Sequence, residues 1–199
     1  MKLYYSSAIK SNKHMDSPYK GDCTFIRDEQ NIAFKWDLSK AEKIIHTYDP
    51  CDVIYSEPPW LSGIKVFNER SGVNTTAADY YKGLTNVILS IKDKPVYITG
   101  GKSFIKRIPD PEWKKVIKLN GHDAEIWGYN CTELMSPKDV LNLDFIKSLS
   151  QMYNVVGDFN CGYGNTGRIF KENGKRFVMS DYDGNCINHI KHTLFENFQ

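Results

Sequence analysis

A chain of 199 residues carrying a net charge of +2 is long enough for one buried core and short for two, which points to a single domain spanning residues 1–199. It has no run of about 18 apolar residues to cross a bilayer, and its first residues lack the apolar stretch and cleavage site of a secretory signal. Five widely spaced cysteines with no C-x-x-C pair fit reduced thiols, so a cytoplasmic location is expected.

Residues 1–24 are polar and lysine-rich without a period and read as an arm or irregular segment. Ile32–Trp36 has a strand pattern, and a helix is expected from Leu38 to Tyr48 with Ala41, Ile44 and Ile45 facing inward. Cys51–Tyr55 is the next strand and runs into Glu57-Pro58-Pro59-Trp60. Leu61–Thr76 fits neither period and is expected to be a functional loop over the site. Tyr81, Leu84, Val87, Ile88 and Ile91 mark an amphipathic helix, followed by a strand at Pro95–Thr99 and a Gly100-Gly101 break.

Lys115–Leu119 and Ala124–Tyr129 flank Asn120-Gly121, the dipeptide of a two-residue hairpin turn. Ser136-Pro137 opens a helix with Leu141, Phe145, Ile146 and Leu149 on one face. Val155-Val156 enters a glycine-rich turn, Asp158-Phe159-Asn160-Cys161-Gly162-Tyr163-Gly164-Asn165-Thr166-Gly167, and a helix begins near Arg168. The strand Arg176–Ser180 ends at Asp181, after which a helix is expected from Tyr182 to His192. Alternating strands and helices favour an α/β sheet.

Two prolines after a strand end its pairing and hold the next carbonyls in one orientation. An acid and an aromatic beside them suit an acceptor amine on a flat base. In the glycine turn, Gly162 and Gly164 would let the main chain approach a ligand and Gly167 would let helix and strand pack closely. Asp181 lies nineteen positions beyond Gly162, the interval at which a carboxylate at the next strand's end can accept ribose hydroxyls; Asp183 is its competitor. A dinucleotide, a nucleoside cofactor such as S-adenosylmethionine, or a purely structural turn would each fit such glycines. Asp158 at the mouth would repel a pyrophosphate but could hold an ammonium, so S-adenosylmethionine leads.

Two further patterns stay open. Lys102, Lys106, Arg107, Lys114, Lys115 and Lys118 form a basic stretch that reads equally as a backbone-contacting edge or as a solvated face. Cys186, His189 and His192 recur every three residues; three metal ligands on one helical face is the sharper reading, incidental histidines the favoured one, and no metal is expected.

With both motifs in view, the chain resembles the S-adenosylmethionine-dependent DNA amino-methyltransferases of the N6-adenine type. It is similar to the permuted group, in which a D/N/S-P-P-Y/F/W tetrapeptide precedes a D-P-F-C-G-S-G-T-T-G loop. The resemblance spans roughly residues 34–194. It implies a Rossmann-like seven-stranded sheet, mostly parallel, with an antiparallel edge hairpin and circularly permuted motif order. It implies S-adenosyl-L-methionine as cofactor and methyl transfer to an exocyclic base amine, most simply adenine N6 in DNA, the base being extruded into the site.

By the same resemblance Glu57, Pro58, Pro59 and Trp60 are catalytic. Asp158, Asn160, Cys161, Gly162 and Gly164 hold the cofactor's methionine end and Asp181 its ribose, with Asn165 and Thr166 also cofactor-binding. Asp37 lies near its adenine or amino group, and Pro137 and Lys138 near its carboxylate. Glu57 departs from the family pattern, which has Asp, Asn or Ser. A non-catalytic nucleic-acid-binding subunit, an RNA adenine N6-methyltransferase (which the P-P-W ending keeps open) and a small-molecule or protein amine methyltransferase are the alternatives. The expected partner is nucleic acid, DNA before RNA, with a homodimer or a partner subunit as options for assembly.

Overall fold

The apolar runs pair into one eight-stranded sheet. The computed structural model describes residues 19, 21–39, 45–59, 61–100, 107–119, 122–131 and 141–196. Its strands are β1 (Phe25–Arg27), β2 (Ile32–Lys35), β3 (Val53–Ser56), β4 (Val96–Gly100), β5 (Trp113–Leu119), β6 (His122–Tyr129), β7 (Val155–Asp158) and β8 (Arg176–Asp181). They lie in the order β1-β2-β8-β7-β3-β4-β6-β5. The five central strands β2, β8, β7, β3 and β4 are mutually parallel. The antiparallel hairpin expected near 115–129 closes one edge as β5 and β6, with Leu119 opposite His122. The strand beyond the expected seven is β1, a three-residue edge strand too short to show a period.

Among the described residues the helices are α1 (Leu61–Ser71), α2 (Ala77–Ser90), α3 (Asn142–Met152), α4 (Asn165–Glu172) and α5 (Gly184–Ile190). Helix α2 buries Tyr80, Tyr81, Leu84, Val87 and Ile88 against one sheet face, with Ile54, Val96 and Ile98. Helices α3, α4 and α5 cover the other face, where Phe145, Ile146, Ile169, Phe170 and Ile187 meet Val53, Tyr55, Tyr97, Val156, Phe177 and Met179. Among the described residues no helix is long and apolar enough to cross a membrane.

Four elements differ from expectation. Residues 61–71 form α1 instead of an irregular loop. Its polar composition hides the period, and contacts from outside the helix hold it: Arg70 pairs with Asp183 at 3.2 Å and donates to the Tyr163 hydroxyl at 2.8 Å. Where a helix is expected from Leu38 to Tyr48, the described residues show 3-10 structure at 38–39 and at Ile45–Tyr48, while residues 40–44, with Ala41 and Ile44, lie outside the described residues. Leu141 stands at the N-cap of α3 and is 51% exposed, so it does not share the buried face of Phe145, Ile146 and Leu149. Helix α5 starts at Gly184, capped by Asp183, whose carboxylate accepts the Asn185 N–H at 3.0 Å, and a π turn follows at Lys191–Glu196.

In the basic stretch, Lys102 and Lys106 lie outside the described residues. Arg107 lies over the Tyr81 ring at 5.6 Å, and Lys114 and Lys118 project from the exposed face of β5. Near α5, Tyr19 stacks on His192 at 4.6 Å and Tyr163 approaches His189 at 4.9 Å. Among the described residues no group of three His, Cys, Asp or Glu side chains is placed to hold a metal ion.

Candidate active site

The chain enters the sheet's centre twice, at β3 and at β7, and these neighbouring parallel strands lead off in opposite directions, β3 toward β4 and β7 toward β8. In open α/β sheets such a reversal leaves a crevice beyond the strands' carboxyl ends. Asp158 is the last residue of β7, Asp181 the last of β8, and Glu57 the first after β3. Side chains alternate along a strand. Val53 and Tyr55, Val156, and Phe177 and Met179 face the α3–α5 side. The same alternation brings Glu57, Asp158 and Asp181 to one side of three adjacent strands, which are spaced about 4.8 Å apart.

Burial costs these carboxyls their hydration and favours the protonated form. Glu57 is pushed up to about 7 by burial and then by the charge of Asp158, while a hydrogen bond from Asn142 opposes the change. Asp158, 2% exposed, is also pushed up to about 7 by burial, against the side chain of Thr166 and the Asn160 N–H, which donates to Oδ1 at 3.0 Å. Asp181 rises to about 6 for the same first reason. Among the described residues no cation acts on Asp158 or Glu57. The buried carboxylate of Asp158, with the half-covered Glu57 beside it, suits a cationic ligand.

The glycine turn connects these groups. Gly162 and Gly164 have φ of +50° and +82°, left-handed values that favour glycine. A Cβ on Gly162 would meet nothing within 4 Å, so the main chain there borders open space; Gly164 starts α4. A Cβ on Gly167 would lie 2.5 Å from Met179 Cε, the close helix–strand approach expected of it. Asp181 Oδ2 accepts the Gly162 N–H at 2.9 Å, whereas Asp183 is used by the α5 cap and by Arg70. Ser56 donates to Asn160 Oδ1 at 3.0 Å, joining the entry of the tetrapeptide to the turn.

Asp37 follows β2 beside the end of β8, where Trp36 N–H donates to the Asp181 carbonyl at 2.8 Å; its own Oδ1 accepts from Ser39 N–H and Oγ. Asn165 and Thr166 open α4, and Cys161 is buried with its thiol held well above the usual range. Pro58 is buried and Pro59 half-buried at the crevice. Trp60, Pro137 and Lys138 lie outside the described residues. The structure thus brings Glu57, Asp158, Asn160, Gly162 and Asp181 together, with Asp37 at the flank.

It also supplies a residue that the sequence pattern did not mark. Asn142, first residue of α3, donates from Nδ2 to Glu57 Oε2 at 3.1 Å. Its Oδ1 accepts from the Tyr55 hydroxyl at 2.7 Å and from Thr99 Oγ1 at 3.3 Å. The available signal was a polar residue in the middle of an apolar helical pattern.

The architecture is shared with solved structures. M1.HpyAVI in its SAM complex superposes with a TM-score of 0.54 at 13% identity, covering 83% of this chain and 99% of that one. TTHA0409, a putative DNA modification methylase from Thermus thermophilus complexed with S-adenosyl-L-methionine, gives 0.52 at 10% identity, with 82% and 93% covered. The cytosine-N4-specific PvuII DNA methyltransferase gives 0.53 at 7% identity, with 90% and 92% covered. The chain has a methyltransferase fold. No family profile matches its sequence, and no curated protein does.

Proposed function

We propose that this chain transfers a methyl group from S-adenosylmethionine to an exocyclic amine of a base in nucleic acid, adenine N6 in DNA being the first choice. The observation that carries the reading is the row of Glu57, Asp158 and Asp181 at the ends of three adjacent strands, with the Gly162 turn between them. The residues present fit the cofactor: Asp158 offers a buried carboxylate to an ammonium, Asp181 offers acceptor sites to a ribose, and Gly162 borders open space. Asn160, Cys161, Gly164, Asn165 and Thr166 would shape the same cradle, with Asp37 beside it. Pro137 and Lys138 are proposed for the carboxylate end on sequence grounds alone.

When bound, S-adenosylmethionine supplies a methyl group already activated on its sulfonium. The chain's own task is orientation. Ionised Glu57 and the Pro58 carbonyl accept hydrogen bonds from the acceptor N–H groups, which turns the nitrogen lone pair toward the cofactor side of the crevice. Trp60 is proposed to stack on the extruded base. The PvuII relative is named for cytosine N4, an exocyclic amine with the same donor chemistry, and this favours cytosine as the second choice of acceptor. A cytoplasmic enzyme acting on DNA is the simplest setting.

Incubation of the protein with labelled cofactor and random-sequence DNA or RNA, followed by mass spectrometry of the nucleosides, tests the reading. N6-methyladenine in DNA that disappears in Glu57→Ala is the expected result. A folded wild type that labels no base in either polymer would overturn it.

A further inference from the structure

We propose that Asn142 is the positioning residue of the acceptor carboxylate, clamping one oxygen of Glu57 and tying it through Tyr55 and Thr99 to strands β3 and β4. The inference rests on the reading of Glu57 as the group that accepts from the substrate amine.

The alternation of the sheet makes the clamp. Tyr55 and Glu57 are two residues apart and face the α3 side together; Thr99, two residues beyond Tyr97, faces it from β4. All three converge on the one amide at the start of α3. Its oxygen is occupied by two hydroxyl donors, at 2.7 and 3.3 Å, so its NH2 is left to face the carboxylate. The amide cannot be turned over without setting its oxygen against Glu57 and its NH2 against both hydroxyls. Asn142 is 6% exposed and Tyr55 and Thr99 are fully buried, so water does not replace these bonds. Glu57 itself is only partly covered, and among the described residues no donor meets Oε1, which leaves that oxygen available to accept from a substrate amine.

This arrangement also accounts for the longer acid. Shortening the side chain by one carbon–carbon bond, about 1.5 Å, would stretch the 3.1 Å contact to beyond hydrogen-bonding range. The glutamate is matched to the depth at which α3 presents its amide. The amide N–H further favours the ionised form of Glu57 against burial and the charge of Asp158, and only the ionised form can accept from an amine.

The test reads Glu57 directly. In protein labelled with ¹³C at glutamate carboxyls, Asn142→Leu and the isosteric Asn142→Asp should each move the Glu57 titration upward by about one pH unit or more, a tenfold gain in proton affinity. Tyr55→Phe, which keeps the amide but removes one anchor, should move it the same way by less. In transfer assays the Asn142 variants should lose turnover by about 10- to 100-fold with little change in KM for nucleic acid, because orientation and not binding is impaired. The pair Glu57→Asp with Asn142→Gln, which returns the lost methylene from the other side, should recover turnover relative to Glu57→Asp alone. An unmoved Glu57 titration in both folded Asn142→Leu and Tyr55→Phe overturns the clamp. A wild type without methyl transfer whose Glu57 titration still moves in these variants would overturn the methyl-transfer reading while supporting the clamp.

Discussion

Asp181 Oδ2 accepts the main-chain N–H of Gly162 at 2.9 Å, while Oδ1 accepts that of Asp183 at the same distance. The interval of nineteen positions is thereby closed into one contact, and the acid that ends β8 is locked to the turn that follows β7. An ionised carboxylate has about four acceptor sites, so two remain after these bonds.

Asp181→Asn retains the shape but sets an NH2 against one of the two amide donors. We expect S-adenosylhomocysteine, measured by titration calorimetry, to bind about 10- to 100-fold more weakly, a loss of about 1.4–2.8 kcal/mol. Unchanged affinity would remove Asp181 from the ribose role.

Buried carboxyls with raised proton affinity make the ligand-free fold less stable as pH rises. Between the unfolded value of about 4 and the folded values of about 7 for Asp158 and about 6 for Asp181, the native state holds more protons than the unfolded one, so stability falls across that window. For Asp158 alone the cost to the ionised fold at pH 8 is on the order of 4 kcal/mol. Asp158→Asn should therefore raise Tm clearly at pH 8 and little at pH 5. Equal changes at the two pH values would contradict the assignment.

Methyl transfer should follow the ionisation of Glu57, which is held at about 7. Below that pH the protonated acid no longer accepts with both oxygens, so kcat should fall as pH drops, with a midpoint near 7. Glu57→Asp should lower turnover at every pH because it loses the Asn142 contact. A rise in turnover on that substitution would mean that the wild-type site is spoiled by its own acid, as expected of a non-catalytic subunit.

Helix α1 is joined to the far side of the crevice by Arg70, which lies 3.2 Å from the fully buried Asp183 and bonds Tyr163 within the glycine turn. Removing the cation strands a buried charge, which costs about 3 kcal/mol for such pairs. Arg70→Met should destabilise by about that amount in denaturant melts, and adding Asp183→Asn should restore a large part of it. Additive losses in the double variant would count against a coupled pair.

The central strands and the glycine turn were legible because each carries its own local signal: apolar runs for β3, β4, β7 and β8, positive-φ glycines at 162 and 164, and a fixed interval to Asp181. Helix α1 was not, because its stability comes from Arg70 and Ile64 meeting partners over 90 residues away and not from a period of its own. Asn142 was hidden for a related reason. Its partners are on β3 and β4, and only the folded sheet shows that Tyr55, Glu57 and Thr99 face one amide. Strand β1 is three residues long, too few for alternation to be visible.

Gly162 and Gly164 both have positive φ, yet they face different surroundings, and this separates folding from binding. A Cβ on Gly164 would lie 2.9 Å from Ile190 Cγ1 and 3.3 Å from Leu194 Cδ1, so Gly164→Ala combines backbone strain with a clash against the α5 region. It should destabilise by about 2–3 kcal/mol in a chemical melt. A Cβ on Gly162 meets nothing within 4 Å, so Gly162→Ala carries only the left-handed strain, about 1 kcal/mol. Its methyl group would project into the open space where the turn is proposed to touch the cofactor, and S-adenosylhomocysteine affinity should fall by about tenfold or more in a protein that remains folded. Loss of stability without loss of affinity at Gly162 would place the cofactor elsewhere.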